Sequence, residues 1–412
     1  MCGIVGMINC NQAPVDTEVL KAMSHSVRHR GPDDEGYLGL KGRSEVVLDR
    51  DPDNVSGGWI GFGHRRLSII DLSDAGKQPM SNPEKTIWIT YNGEIYNHLE
   101  IRSQLEALGY KYHNPTEQTS CTAWNYYASA TSNALAQASV AMRNFGQAYQ
   151  DGYFPMIHCG TSYGHYKEVR QELVESPELR HKTKKIMKTL GKELVIPEEI
   201  VHYSEWVHAV RNEIAKKKVY DLDDITISIH PACHYHKLVT EDAIYDADLY
   251  NGQRTAVISG LVNALGAKLG DYSTWQDCCG FGFRHILVQR DFSRSFATLR
   301  KIEVMKEEAN PDVVLTHDTG CVTTLDKSQF SPQVHDRKVG LPVLSDAQFA
   351  ALAMGAHPYR VVQIHWHATD YRPLLTKMGI DWEEKWKEFQ EDMRLIKDGE
   401  IESLVLEDYG NL

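Results

Sequence analysis

Residues 275–282 read Trp-Gln-Asp-Cys-Cys-Gly-Phe-Gly. The adjacent pair Cys278 and Cys279 constrains the fold more than any other feature of the chain. Side chains of neighbouring residues diverge, so two consecutive cysteines seldom serve one apolar interior. Two thiolates offered from one tight turn, with glycines giving the backbone room, suit a multi-iron centre. Cys233 lies upstream in His230-Pro231-Ala232-Cys233-His234, and Cys321 lies downstream in Asp318-Thr319-Gly320-Cys321. The flanking pattern says where these sulfurs sit. Ile225, Ile227 and Ile229 alternate through a strand that ends at Pro231, and residues 311–316 form a second apolar strand leading to Asp318 and Cys321. Residues 342–344 read as a strand followed by a capped helix over 345–354, and helices are expected over 254–269 and 292–308. Strands alternating with helices imply a parallel sheet, whose functional groups gather at the carboxyl ends of the strands. Cys233 and Cys321 both fall there.

Histidine offers a competing donor. The chain has 19 histidines. His230, His234 and His236 flank Cys233, and His234 and His236 could join Cys233 and Cys279 around a tetrahedral zinc. His365 and His367 point the same way if their segment is a strand, and read more simply as surface or satisfied histidines. His285, beside Arg284, could supply positive charge or a proton near a cluster. An iron–sulfur cluster, zinc and no metal thus remain as three readings. The formal charge of −12 argues against wholesale binding to nucleic acid. No apolar run reaches the roughly 20 residues of a spanning helix, so no direct membrane insertion is expected. The first residues lack a basic stretch leading into an apolar run, so no secretory signal is expected. The eight cysteines form no small-domain disulfide pattern, which favours a reducing cytoplasm and free or metal-bound thiols.

The first hundred residues carry a second chemistry. Residues 1–6 begin an apolar strand, and Cys2 follows a methionine that is expected to be removed, leaving a free α-amine. That amine, with a pKa of roughly 8, can act as base for its own thiol. Downstream stand Arg28-His29-Arg30-Gly31-Pro32-Asp33-Asp34-Glu35-Gly36, the alternating run over 61–71, Gln78-Pro79-Met80 and Tyr91-Asn92-Gly93-Glu94-Ile95-Tyr96-Asn97. Together these motifs resemble the class II glutamine amidotransferases, the glutaminase half of asparagine synthetase B, truncated near residue 110. The resemblance implies that Cys2 is the nucleophile and that Arg66 grips the glutamine carboxylate. It also implies that Asn92 and the Gly93 amide form the oxyanion hole, with Glu94 holding substrate. Glu117 is the only nearby carboxylate where the family places the aspartate that holds the substrate ammonium.

From residue 120 the character changes. A helical run over about 128–149 leads to a short strand at 153–157 and then to His158-Cys159-Gly160-Thr161-Ser162-Tyr163. Helices are expected over 166–175, 177–190 and 204–217. Cys121 and Cys159, taken alone, read as buried apolar residues. The order of a cysteine, a Cys-Cys-Gly turn and a Cys-x-x-Cys-like turn resembles the cysteine-rich (CCG) domain found in the B subunit of heterodisulfide reductase. In that family such domains occur in tandem and bind iron–sulfur clusters. The likeness covers about residues 113–360. It implies a degraded first copy, with Ser120-Cys121 in place of a Cys-Cys pair and Cys159-Gly160-Thr161-Ser162 in place of Cys-x-x-Cys. It also implies a better-preserved second copy with Cys233, Cys278, Cys279 and Cys321 as metal ligands. Asp318 stands at the fifth thiol position and could supply an oxygen. Two thiols in the first copy are too few for a cluster of their own.

The expected architecture is therefore α/β. A partial nucleophile-type β-sheet segment over 1–112 precedes a partial CCG-like domain over 113–220. A second CCG domain spans 221–412 and ends in a helical tail, amphipathic from Glu384 onward. The leading functional expectation is an iron–sulfur redox subunit carrying a 4Fe–4S cluster, cubane or non-cubane. It would exchange electrons with a disulfide or sulfane-sulfur substrate and draw them from partner redox subunits, because the sequence has no flavin or nicotinamide fingerprint. Glutamine hydrolysis at Cys2, and a non-catalytic scaffold, are the alternatives.

Overall fold

The computed structural model describes residues 3–42, 45–66, 77–81, 85, 88–90, 105, 108–109, 121, 133–238, 256–282, 288–331, 339–398 and 400. The chain divides into two compact units, residues 1–96 and 97–412.

In the first unit, β1 (Gly3–Ile8), β2 (Asp34–Lys41), β3 (Glu45–Asp49) and β4 (Ile60–Arg66) form an antiparallel sheet in the order β1-β4-β2-β3. The β1–β4 register runs from Gly3 opposite Arg65 to Ile8 opposite Ile60. The helix Thr17–Ser26, capped by Asp16, packs its Leu20 with Val5, Tyr37 and Val55 into a small core. Two short strands, β5 (Met80–Ser81) and β6 (Trp88–Ile89), pair antiparallel.

In the second unit, β7 (Met156–Ile157) pairs parallel with β8 (Val201–His202). The main sheet is wholly parallel. Its strands β9 (Thr226–Ile229), β10 (Lys268–Leu269), β11 (Val313–Thr316) and β12 (Val343–Ser345) lie in the order β10-β9-β11-β12. Every residue of β11 is buried, as a central parallel strand covered on both faces requires. The chain leaves β9 to one side for β10 and then crosses to the other side for β11. The strand order therefore reverses between β9 and β11, and the crevice at their carboxyl ends is where such sheets bind ligands. His230 and Cys233 follow β9; His317, Asp318 and Cys321 follow β11.

Several elements differ from their sequence expectation for local reasons. The expected helix over 254–269 ends at Leu265, and Lys268 and Leu269 instead pair with Thr226 and Ile227 at the sheet edge. The helix expected from 166 begins at Gly160. The cause is long-range: the Asp318 carboxylate accepts from Thr161 N at 2.7 Å and satisfies the helix start from another part of the chain. The expected 204–217 helix breaks at Val210 into Tyr203–Ala209 and Arg211–Lys216. The segment with His365 and His367 is a 3₁₀ turn, Ile364–Trp366, and not a strand. His367 there meets Tyr371 Oη at 2.9 Å and Gln348 Nε2 at 3.1 Å, which makes it a satisfied histidine. Of the acidic tail, the helix Trp382–Lys397 is described, with Phe389 buried.

The helix Asp346–Ala353 opens with a capping box of Ser345 and Gln348. Asp346 itself is only 3% exposed, and burial pushes its carboxyl up to about 6 from 3.8, against the pull of Ser204 and the Ala347 amide. A raised folded-state value favours the protonated form. This contribution to stability is complete below about pH 4 and is lost as pH rises through 6, a change of about 3 kcal/mol. Asp346→Asn is expected to remove that decline. The variant should gain stability over wild type at pH 8 and not at pH 4.5 in urea unfolding; parallel profiles for the two proteins would exclude this role.

Candidate metal centre

The Cys-Cys-Gly turn is shaped from its backbone upward. Gly280 has φ +87°, and a Cβ there would lie 2.5 Å from the Ser293 carbonyl, so only glycine fits. Ser293 Oγ donates to Gly280 O and ties the turn to the helix Arg290–Ala297. The turn aims amides at sulfur: Gly280 N meets Cys278 Sγ, and Phe281 N meets Cys279 Sγ, both at 3.4 Å. Such N–H donors favour thiolate or metal-bound sulfur.

Cys279 (2% exposed) and Cys321 (4%) are buried, while Cys233 and Cys278 are half-buried. Cys279 and Cys321 offer their sulfurs within 4.8 Å of each other, and the four thiols influence one another's ionisation in sequence, Cys233 with Cys278, Cys278 with Cys279, and Cys279 with Cys321. Four such groups cannot all ionise together unless a cation compensates. The thiol of Cys278 is held far below its ordinary value by Cys233 and then Cys279, and those two are raised in return. At Cys321 the bond to Cys279 favours the thiolate, but burial and the Asp318 charge together outweigh it and push the thiol up to about 11. The four sulfurs proposed from sequence thus come together, and their chemistry fits a metal or an iron–sulfur group.

Sequence reasoning missed the way His230 enters this centre. Ligating atoms of His230, Cys279 and Cys321 all lie within 4.8 Å of one another. His230 is 1% exposed, neither ring nitrogen has a hydrogen-bond partner, and burial holds it neutral, well below the usual histidine range. The histidines weighed from sequence behave differently. His234 Nδ1 lies 3.6 Å from Cys233 Sγ, and the side chain of His236 lies outside the described residues.

Lys301 was also not anticipated. It is fully buried on a π-helical turn, Thr298–Ile302, that joins the helices Arg290–Ala297 and Glu303–Glu308. Its Nζ donates to the carbonyls of Thr274 and Trp275 and lies 4.8 Å from the Tyr272 ring centre. Burial pushes the ammonium down to about 7, partly opposed by Asp277 and by the thiols of Cys279, Cys321 and Cys278. Lys301 therefore anchors the entry to the Cys-Cys-Gly turn and holds near the sulfurs an amine that burial has made easy to deprotonate.

Asp318 faces two ways. Oδ1 accepts from Cys321 N at 2.9 Å and caps the helix Thr319–Ser328. Oδ2 accepts from Thr161 N at 2.7 Å and meets Cys159 Sγ at 3.4 Å. Gly160 permits this approach: its N donates to His317 O at 3.2 Å, and a Cβ on it would lie 3.0 Å from Ala232 Cβ. The middle-segment thiols therefore stand beside the second site. Cys159 accepts from Thr319 Oγ1 at 3.4 Å, and Ser162 Oγ donates to Cys121 Sγ at 2.9 Å. Burial and then Asp318 push the Cys159 thiol up to about 12, which makes it a poor nucleophile. Behind them Tyr163 and Tyr235 stack at 5.2 Å, and both hydroxyls donate to Glu205 Oε1, at 3.1 and 2.9 Å.

Of the proposed glutaminase residues, Arg66 is buried at the end of β4. Cys2, Asn92, Gly93 and Glu94 lie outside the described residues, as do Glu117, Arg284 and His285. No described helix is long and apolar enough to cross a membrane.

Residues 1–123 match the family model of a glutamine amidotransferase domain, and residues 227–326 match that of the CCG cysteine-rich domain. The chain is 29% identical over 271 residues to a protein of Archaeoglobus profundus described as like the heterodisulfide reductase B subunit, covering 65% of this chain and 88% of that protein. It is 26% identical over 305 residues to the B subunit of ferredoxin:CoB-CoM heterodisulfide reductase from Methanosarcina acetivorans, covering 70% and 93%. It is also 39% identical over 120 residues to the glutamine-hydrolysing asparagine synthetase 1 of Bacillus subtilis, covering 28% of this chain and only 16% of that protein. The cysteine-rich match and its relatives support an iron–sulfur redox role. The chain joins a front segment similar to the glutaminase part of asparagine synthetases to a CCG cysteine-rich region similar to the heterodisulfide reductase B subunit.

Proposed function

We propose that this protein is the iron–sulfur redox subunit of a heterodisulfide-reductase-type complex, exchanging electrons with a disulfide or sulfane-sulfur substrate. The carrying observation is the close group of Cys279, Cys321 and His230, with Cys233 and Cys278 electrostatically coupled to it, beside the reversal point of the parallel sheet. A 4Fe–4S group held by these thiols, cubane or non-cubane, supplies one-electron steps when bound. The chain's own residues prepare the place. Lys301 anchors the turn, Asp318 sets the position of Cys321, and the buried sulfurs of Cys279 and Cys321 are kept from water. Electrons would come from partner redox subunits.

Protein purified without oxygen is expected to contain iron and acid-labile sulfide and to give an EPR signal on reduction. Reduced viologen should then drive cleavage of an aliphatic mixed disulfide. Stoichiometric zinc with no iron would sink this proposal in favour of a zinc centre. The match of residues 1–123 and the buried Arg66 favour a second activity, glutamine hydrolysis at Cys2. Ammonia release from glutamine, abolished in Cys2→Ala and unaffected by Cys279→Ala, tests it separately.

A further inference from the structure

We propose that His230 is a nitrogen ligand of the metal centre, bound beside Cys279 and Cys321, and that Asp318 is not a ligand. The inference rests on the metal-centre reading above and names the donor set more closely.

Two independent observations carry it. The first is an unanswered imidazole. His230 is 1% exposed at the carboxyl end of β9, and both of its ring nitrogens lack a hydrogen-bond partner. A buried polar group left without a partner is destabilising, and a metal bond at one nitrogen removes that cost there. Its ligating atom and the sulfurs of Cys279 and Cys321 all fall within 4.8 Å of one another. Neutral imidazole is a ligand for zinc and iron alike, and one imidazole with several thiolates is an established donor combination for zinc.

The second observation removes the competitor. Asp318 is 4% exposed, and its two oxygens already serve two helix starts, Oδ1 at Cys321 N and Oδ2 at Thr161 N. Each oxygen is aimed at a buried helix amide, so swinging the carboxylate toward a metal would weaken the bonds that start both helices. His234 is a weaker candidate because its Nδ1 already faces Cys233 Sγ at 3.6 Å, and it is not part of the close group formed by His230, Cys279 and Cys321. His317 already accepts from Ala232 N through Nε2 at 3.1 Å.

Nitrogen in place of sulfur lowers the negative charge of the donor set and raises the reduction potential, as imidazole ligands do in Rieske centres. His230→Cys should therefore lower the midpoint potential.

The test is pulsed EPR of the full-length protein with natural-abundance and ¹⁵N-labelled histidine, as the reduced iron protein and as its cobalt(II)-loaded form. A directly bound imidazole nitrogen should appear in wild type, change with the isotope, and vanish in His230→Ala and His230→Cys. The same coupling should persist unchanged in Asp318→Asn and His234→Ala. Far-UV circular dichroism identifies a His230→Ala sample that has not folded, and His230→Cys then carries the comparison. Iron binding with no imidazole coupling, or a coupling that survives in both His230 variants, overturns the assignment while leaving the redox proposal standing. A protein that binds cobalt or zinc through His230 but never iron supports the assignment and sinks the redox proposal. A protein that takes up none of these metals overturns both.

Discussion

Cys279→Ala is expected to leave the anaerobically purified protein without iron and without its visible absorbance. Cys279 belongs to the close group with Cys321 and His230, and its ionisation is coupled to both Cys278 and Cys321. It is 2% exposed, and Phe281 N addresses its sulfur, so no neighbouring thiol can take its position without rebuilding the turn. Loss of a residue that merely supports a ligand weakens metal binding by roughly 10–100-fold, and loss of the central ligand should exceed that. The truncation removes one small buried side chain, so the fold should lose no more than about 2 kcal/mol. Cys159→Ala is the control. Cys159 lies across Asp318 from Cys321 and is engaged by Thr319, so its variant should keep wild-type iron. Iron and acid-labile sulfide assays on both variants decide the matter. Full iron in Cys279→Ala, or equal loss in the two, would remove Cys279 from the centre.

The parts of this molecule legible in the sequence were those with rare chemistry or strict periodicity. Adjacent cysteines have few uses, and the isoleucine alternation before Pro231 and the apolar run before Asp318 mark β9 and β11 by themselves. Placing Cys233 and Cys321 at strand ends needed only the rule that βαβ units make parallel sheets. What escaped depended on contacts distant in sequence. Lys301 belongs to a stretch that reads as ordinary helix; a π-helical turn carries it inward, and two carbonyls from Thr274 and Trp275 receive it. Nothing local distinguishes it from an exposed lysine. His230 was visible only as a neighbour of Cys233, because its bareness of hydrogen bonds exists only in the folded crevice. Asp318 was visible in the sequence only as the residue at the fifth thiol position. Its Oδ1 instead caps the helix Thr319–Ser328 by accepting from Cys321 N. Its second oxygen caps a helix 157 residues away, which no local rule reaches.

That double engagement makes Asp318→Ala the substitution with the largest expected cost to stability. Its carboxylate lies below its ordinary pKa although burial works against the charge, because hydrogen bonds from Thr161 and Cys321 together outweigh the desolvation. Removing it strips the acceptor from the first turn of both Gly160–Glu175 and Thr319–Ser328. One lost cap costs about 1 kcal/mol, and a buried amide left bare raises this to as much as about 3. Two together should cost about 3–5 kcal/mol at pH 7, read as a lower urea midpoint with an unchanged slope. Sign and window follow from the depressed value. The contribution is present in full above the unfolded carboxyl range near pH 4 and is lost as pH falls through the lower folded value, so the deficit of the variant should shrink as the solution is acidified. Asp318→Asn keeps one acceptor oxygen and should fall between the two proteins. Asp318→Cys supplies a thiol where the resemblance places the fifth one, but a single sulfur cannot serve both helix starts, so this variant should be destabilised nearly as much as alanine even when loaded with iron. An alanine variant as stable as wild type would show that the two helices hold their starts without Asp318. The residue would then be free to act as the oxygen ligand that its place in the sequence first suggested.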